Sequence, residues 1–391
     1  MTMYMSTAFL SLSLLWNLRE GRFIQNCAAK CEPIPLPQKP TLHSSDISII
    51  VTTINTPDSF TSALRTWVAA KPKEIIIVTI QRDEARVRAL LAPAPGEAND
   101  VEIIVRLAPR ANKRVQMDVG IEAARGSVVA FVDDCVFWQQ PAAILPSLLA
   151  PFEDYAVGGV VGRQSAHIAP ERRDPSVVTA AERVSPLTGA AGASRAGRAL
   201  IRTAILKDAD FRWALTNDMW MGNALNTGDD SFITRWMIKR GHKMSIQDAP
   251  EAEISKVVMR DTKVYAKQTI RWQRTSLQTC TSLVLIDPGF RALWRQYPYL
   301  ARKYTECSLS LPWALAHIAA LIMVSRQYLW IVLAFVLYHV YGTFTDYRAF
   351  VLKYPWAVRG IWFPVLLDYF GWVVHAYCWP TLGKDEWLTR G

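Results

Sequence analysis

Four continuous apolar runs of strand length, at residues 46–53, 74–80, 101–107 and 127–132, alternate with helical patterns at 61–70 and 112–125. Strands that are apolar throughout must be covered on both faces. In a chain that alternates them with helices, this predicts an α/β fold with a mostly parallel sheet. Ligands of such sheets bind beyond the carboxyl ends of the strands. Thr53, Thr79, Lys113 and Asp133 all fall there. The fourth run leads straight into Asp133-Asp134.

The 391 residues suffice for one catalytic domain and a membrane region. The net charge is +10, from 44 Lys and Arg against 34 Asp and Glu. The basic residues are scattered and no nucleic-acid motif accompanies them, so nucleic acid is not expected as a partner. An anionic nucleotide substrate and an anionic membrane leaflet account for the charge equally well. Six cysteines, at 27, 31, 135, 280, 307 and 378, lack metal-ligand spacing. They read as cytosolic free thiols, with S-acylation of Cys27 and Cys31 as the alternative.

The two ends of the chain read as membrane-associated. Residues 1–16 are apolar or small and are followed at once by Arg19 and Arg22. Positive charge after the apolar stretch fits an anchor whose C-terminal side is cytosolic, not a cleaved signal. A helix of that length spans about 24 Å against a hydrocarbon core of about 30 Å. It is therefore a short span or an interfacial helix. Residues 309–324 and 328–344 read as an apolar helical hairpin. Residues 356–376 form a third candidate, interrupted by Arg359, Pro364 and Asp368. The expected divisions are an anchor at 1–18, a Pro-rich linker at 32–45, a cytosolic catalytic domain at 46–283 and a membrane region at 284–391. The Gly/Ala/Arg-rich piece 189–202 reads as a loop over the sheet edge.

Three short words carry chemistry. Asp133-Asp134 at a strand end can hold Mg²⁺ or Mn²⁺ against a nucleotide diphosphate; alone, it also reads as a turn. Gly228-Asp229-Asp230 opens a helical stretch. Its acids read as caps, or else Asp230 is a general base for an acceptor hydroxyl with Asp229 in support. Gln268, Arg271 and Trp272 share one helical face. They supply an amide, a cation for a developing diphosphate charge and a flat surface for a sugar. The alternative is an amphipathic helix lying on the membrane, which Lys267 and Arg274 also fit.

In this order, ahead of apolar helices, the three words resemble the processive family 2 glycosyltransferases, the hyaluronan, chitin and cellulose synthase-like enzymes. The stretches LNTGDDSFITRW and QTIRWQRTS look most like the fungal, capsule-synthase-like membrane branch. The resemblance implies a GT-A-like catalytic domain that uses a UDP-sugar and Mn²⁺ or Mg²⁺, inverts the anomeric carbon and extends a polysaccharide. It places Asp133 and Asp134 on the metal and diphosphate motif, Asp230 on the base, and Gln268, Arg271 and Trp272 on the acceptor site. Lys113 and Arg114 match the basic pair that contacts the nucleotide. Trp387 and Arg390 look like a gating segment that closes over it.

The chain departs from that pattern in two places near the nucleotide. Cys135 stands where a strict Asp-x-Asp would place an acid, so Asp134 is the expected metal ligand with Asp133 nearby. The second strand ends in Thr79-Ile80-Gln81 where many relatives carry an Asp for the uracil. The alternatives to polysaccharide synthesis are single-sugar transfer to a lipid or glycan, and a non-catalytic membrane scaffold that keeps the fold.

Overall fold

The computed structural model describes residues 3–29, 32–92, 100–168, 199–257 and 262–384. It divides into two compact units, one α/β (mainly 31–167 and 190–257) and one helical (1–30, 168–189 and 258–384). Helix α1, Met3–Ala29, belongs to the helical unit.

The α/β unit begins β1 (Ile47–Thr52), α2 (Phe60–Val68), β2 (Glu74–Ile80), α3 (Glu84–Leu91), β3 (Glu102–Ala108), α4 (Lys113–Ala123) and β4 (Val128–Asp133). It continues β5 (Val136–Trp138), α5 (Pro141–Leu149), β6 (Val157–Gly162), β7 (Gln164–His167), β8 (Ala199–Arg202), α6 (Thr203–Leu206) and α7 (Ala209–Thr216). The hairpin β9–β10 (Met219–Trp220 and Asn223–Ala224), α8 (Asp229–Lys239), β11 (Lys243–Gln247) and β12 (Ile254–Val257) complete it.

Among the described residues, seven strands form one sheet in the order β11-β6-β8-β4-β1-β2-β3. Every pairing in it is parallel except the two made by β8, which runs antiparallel between β4 and β6. Residues 199–202, read from sequence as loop, are thus a central strand. Ala-Leu-Ile is too short an apolar run to stand out from its Gly/Ala/Arg-rich approach, and pairing on both sides supplies the order that local pattern lacks. Residues 189–198 lie outside the described residues.

Both faces of the sheet are buried. Ile49, Val51, Ile75 and Ile77 pack on one side, and Ile50, Ile76, Val78 and Phe131 on the other. Helix α4 approaches so closely that a Cβ on Gly120 would stand 2.5 Å from Ile50. Asn112 caps that helix by accepting from the Val115 N–H at 3.1 Å, which fixes its first residue, Lys113, at the carboxyl edge.

The opposite edge holds a buried carboxylate. Glu74 accepts from Ser48 Oγ (2.6 Å), Arg125 N (2.7 Å) and Arg125 Nε (2.6 Å). Burial pushes its pKa up, but these hydrogen bonds outweigh burial and hold it below 4.5. A depressed carboxyl stabilises the fold above its unfolded pKa, and that contribution is lost as pH falls through the folded value. Glu74→Ala should cost about 2–3 kcal/mol by leaving buried donors unpaired. Urea melts at pH 7 and pH 3 test this, because the wild-type advantage should shrink at pH 3.

The segment 32–45 lies along the α/β unit. Gln247 accepts from Ile34 N and donates to Ile34 O, both at 2.9 Å, and Glu153 accepts from Thr41 N at 2.8 Å.

The helical unit contains α9 (Thr262–Thr281), α10 (Phe290–Gln296), α11 (Pro298–Ser308), α12 (Ser310–Ser325), α13 (Leu329–Lys353) and α14 (Trp362–Cys378). Among the described residues one span, Leu329–Arg348, is long and apolar enough to cross a membrane. The number rises to three if two bent pairs count as single spans: α11 with α12 (66°), and residues 355–367 with 371–381 (48°). Helix α1 is longer than its apolar N-terminal stretch. Its Glu20 takes bonds from Tyr299 (2.9 Å) and Arg302 (2.6 Å) and an ion pair from Lys303 (2.7 Å), all on α11.

Candidate active site

Strands β1 and β4 end level, with Thr52 opposite Asp133, and Thr53 N–H bonds to Val78 O of β2 at 3.0 Å. The sequence-named groups of the α/β unit gather at this edge. Lys113 Nζ stands 3.1 Å from Asp133 Oδ1 and 2.9 Å from Asp229 Oδ2. One ammonium therefore ties the tip of β4 to the start of α8. Burial lowers the pKa of this amine, but Asp133 and Asp229, with Asp230 behind them, hold it above the usual 10.5. A raised lysine contributes its stability at every pH below that value, so the bridge stays charged through the neutral range.

The acids of each pair occupy different environments. Asp133 keeps about a fifth of its side chain exposed. Asp134 is buried, and its Oδ2 accepts from Thr53 Oγ1 at 2.7 Å. Asp229 is buried against Lys113, whereas Asp230 is half-buried, its Oδ1 accepting from Ser231 N at 2.7 Å. Gly228 makes this start possible by adopting φ +70° immediately before the helix. The first turn of α8 favours anionic side chains at Asp229 and Asp230.

Arg114, expected beside the nucleotide, points into the protein and is 2% exposed. It donates to Asp218 Oδ2 (3.0 Å), Leu215 O (3.3 Å) and Thr227 O (2.8 Å), and it lies over the Phe232 ring. Arg235 shares Asp218 at 2.7 Å. This pair of arginines on one carboxylate fixes the segment that runs into Asp229-Asp230. Asn112 and Asn226 are also hydrogen-bonded, joining the starts of α4 and α8.

Sequence reasoning missed three participants besides, and it placed Thr53 at this edge without giving it a role. Thr53 holds Asp134. Asp83, three residues beyond β2, accepts from Asn55 N at 2.9 Å and fixes the turn after β1, where Asn55 takes φ +49°. Asp218 anchors the two arginines. Lys256 of β12 reaches Asp133 Oδ2 at 3.4 Å. A cavity of about 470 Å³ opens on the same edge, between residues 80–82 and 107–111.

Gln268, Arg271 and Trp272 belong to α9 of the helical unit, with Gln268 buried and the other two half-buried. Arg274 is not on a free polar face, because it is buried and donates to Thr381 Oγ1 at 3.1 Å. Trp387 and Arg390 lie outside the described residues. Among the described residues, no cluster of three or more His, Cys, Asp or Glu is gathered for a metal ion. Asp133 nonetheless fits a hard divalent ion: it is an oxygen donor, partly exposed, at the ligand edge of the sheet.

The mostly parallel α/β sheet thus gathers charged side chains at its carboxyl edge. Residues 44–275 match the family model described as glycosyltransferase like family 2, and the chain belongs to that family. It is 36% identical to an NDP-glycosyltransferase of Aspergillus luteorubrus, over 96% of this chain and 95% of that protein. It is 33% identical to a type 2 glycosyltransferase of Zymoseptoria tritici, over 76% of this chain and 64% of the other. Among solved structures, a mannosyltransferase from Pyrobaculum calidifontis, in complex with GDP-mannose and Mn²⁺, superposes with a TM-score of 0.54. The alignment covers 98% of both chains at 17% identity, and it shows the GT-A-like fold.

Proposed function

We propose that this glycosyltransferase is membrane-bound, with its α/β unit cytosolic, and that it transfers a sugar from a UDP-sugar to a growing polysaccharide with inversion. The observation that carries the reading is the single ammonium of Lys113 linking Asp133 to Asp229, with Asp230 next in the chain. Donor-side and base-side acids are thereby held at one edge.

In the proposed reaction Asp230 takes the proton of the acceptor hydroxyl, whose oxygen bonds to the anomeric carbon. The bond from that carbon to the diphosphate breaks, and UDP leaves with the electron pair. Lys113 meets part of the charge that develops on the diphosphate. A divalent ion, Mn²⁺ or Mg²⁺, held at Asp133 would neutralise more of it. Asp134 supports that site through Thr53, since its burial suits a positioning role better than that of the expected metal ligand. Arg114 likewise acts by positioning α8. Gln268, Arg271 and Trp272 keep the acceptor-site role that their motif implies, and Trp387 and Arg390 the gating role.

Single-sugar transfer is the second reading. End-to-end similarity to a protein named an NDP-glycosyltransferase is compatible with either reading. Product length separates the two. Detergent-solubilised protein given its UDP-sugar should yield a ladder of products by mass spectrometry, and Trp272→Ala should collapse the ladder. A lone one-sugar adduct from the wild type would establish the second reading instead.

A further inference from the structure

Asp133 carries a second cation besides Lys113. The Lys256 ammonium stands 3.4 Å from Asp133 Oδ2, on a side chain only 11% exposed. Its position is set by the fold and not by a flexible surface stem. Strand β12 lies between β5 and β7, pairing Lys256 with Val136 and with Ala166. The next residue, Val257, donates its N–H to Cys135 O at 3.1 Å. The strand that presents Lys256 is thus bonded to the very turn that follows Asp133-Asp134. In the same turn Cys135 occupies the place where a strict Asp-x-Asp would put its second acid, and a thiol is a poor partner for a hard divalent ion. At this edge the fold sets a second fixed positive charge, besides Lys113, against Asp133.

We infer that Lys256 is a tethered cation of the donor site, one that shares the charge of a bound nucleoside diphosphate and competes with a divalent ion for Asp133. The diphosphate half of this inference rests on the donor-site reading above. An ammonium and a diphosphate oxygen attract at close range, while an ammonium and a divalent ion sharing one carboxylate repel. Removing the charge should therefore weaken nucleotide and strengthen metal, which is the reverse of what loss of an ordinary ligand-site residue does.

The test uses the purified full chain as wild type, Lys256→Met and Lys256→Arg, with thermal melts to confirm folding. Mn²⁺ is titrated directly by its electron paramagnetic resonance signal, and UDP is titrated calorimetrically in EDTA and in saturating Mn²⁺. Lys256→Met should bind Mn²⁺ about tenfold more tightly and, in EDTA, UDP about tenfold more weakly. Lys256→Arg, which keeps the charge, should stay within about threefold of wild type on both. Unchanged or weakened Mn²⁺ binding in a folded Lys256→Met protein would overturn the competition and leave Lys256 a structural partner of Asp133. A wild type that binds Mn²⁺ but no UDP would overturn the donor reading and the diphosphate half together, while the Mn²⁺ comparison still decides the competition.

Discussion

Asp230→Asn should lower transfer by about 10²–10⁴-fold, the usual worth of a positioned general base. UDP affinity should stay within about threefold of wild type. The substitution is nearly isosteric, and Asp230 contributes to the edge through its half-buried carboxylate, leaving the Lys113 bridges to Asp133 and Asp229 in place. Calorimetric titration of UDP beside a turnover assay measures both quantities on one preparation. If nucleotide affinity collapsed along with turnover, Asp230 would belong to the donor side. Asp229→Asn should behave differently. It removes a buried partner of Lys113, so both UDP affinity and stability should fall.

The second large effect concerns Arg114. Arg114→Ala strips a buried guanidinium from Asp218 and from the carbonyls of Leu215 and Thr227. Breaking a buried pair on one side typically costs about 3–5 kcal/mol, because the remaining charge stays buried. Arg235 still reaches Asp218, which should hold the loss toward the lower end. Denaturant melts should show a lower midpoint, and Arg114→Lys should recover little because an ammonium cannot serve three acceptors in that fork. A stable Arg114→Ala protein with weakened UDP binding would restore the nucleotide-contact role that its position after β3 first implied.

The parallel core was legible because its strands are buried on both faces and therefore read as unbroken apolar runs. β1, β2 and β4 lie within a residue of their expected limits. β8 was illegible for the opposite reason. Four residues at the end of a low-information stretch become a strand only because β4 and β6 flank them.

The site divides in the same way. Asp133, Asp229, Asp230 and Lys113 could be named because strand ends and helix starts are visible in sequence. Whether an arginine faces solvent or Asp218 is not visible, and a motif match alone left Arg114 and Lys113 equivalent. Asp83, Asp218 and Lys256 act across 28, 104 and 123 positions respectively. No local pattern encodes such separations.

The measurement nearest the central claim is UDP release by the purified, detergent-solubilised chain across a panel of UDP-sugars with Mn²⁺, beside Asp230→Asn. Release with one sugar, lost in that variant while UDP still binds, is the expected result. Equal release by both proteins would contradict the assignment of Asp230, and wild type that neither binds UDP nor releases it from any donor would contradict the UDP-sugar reading.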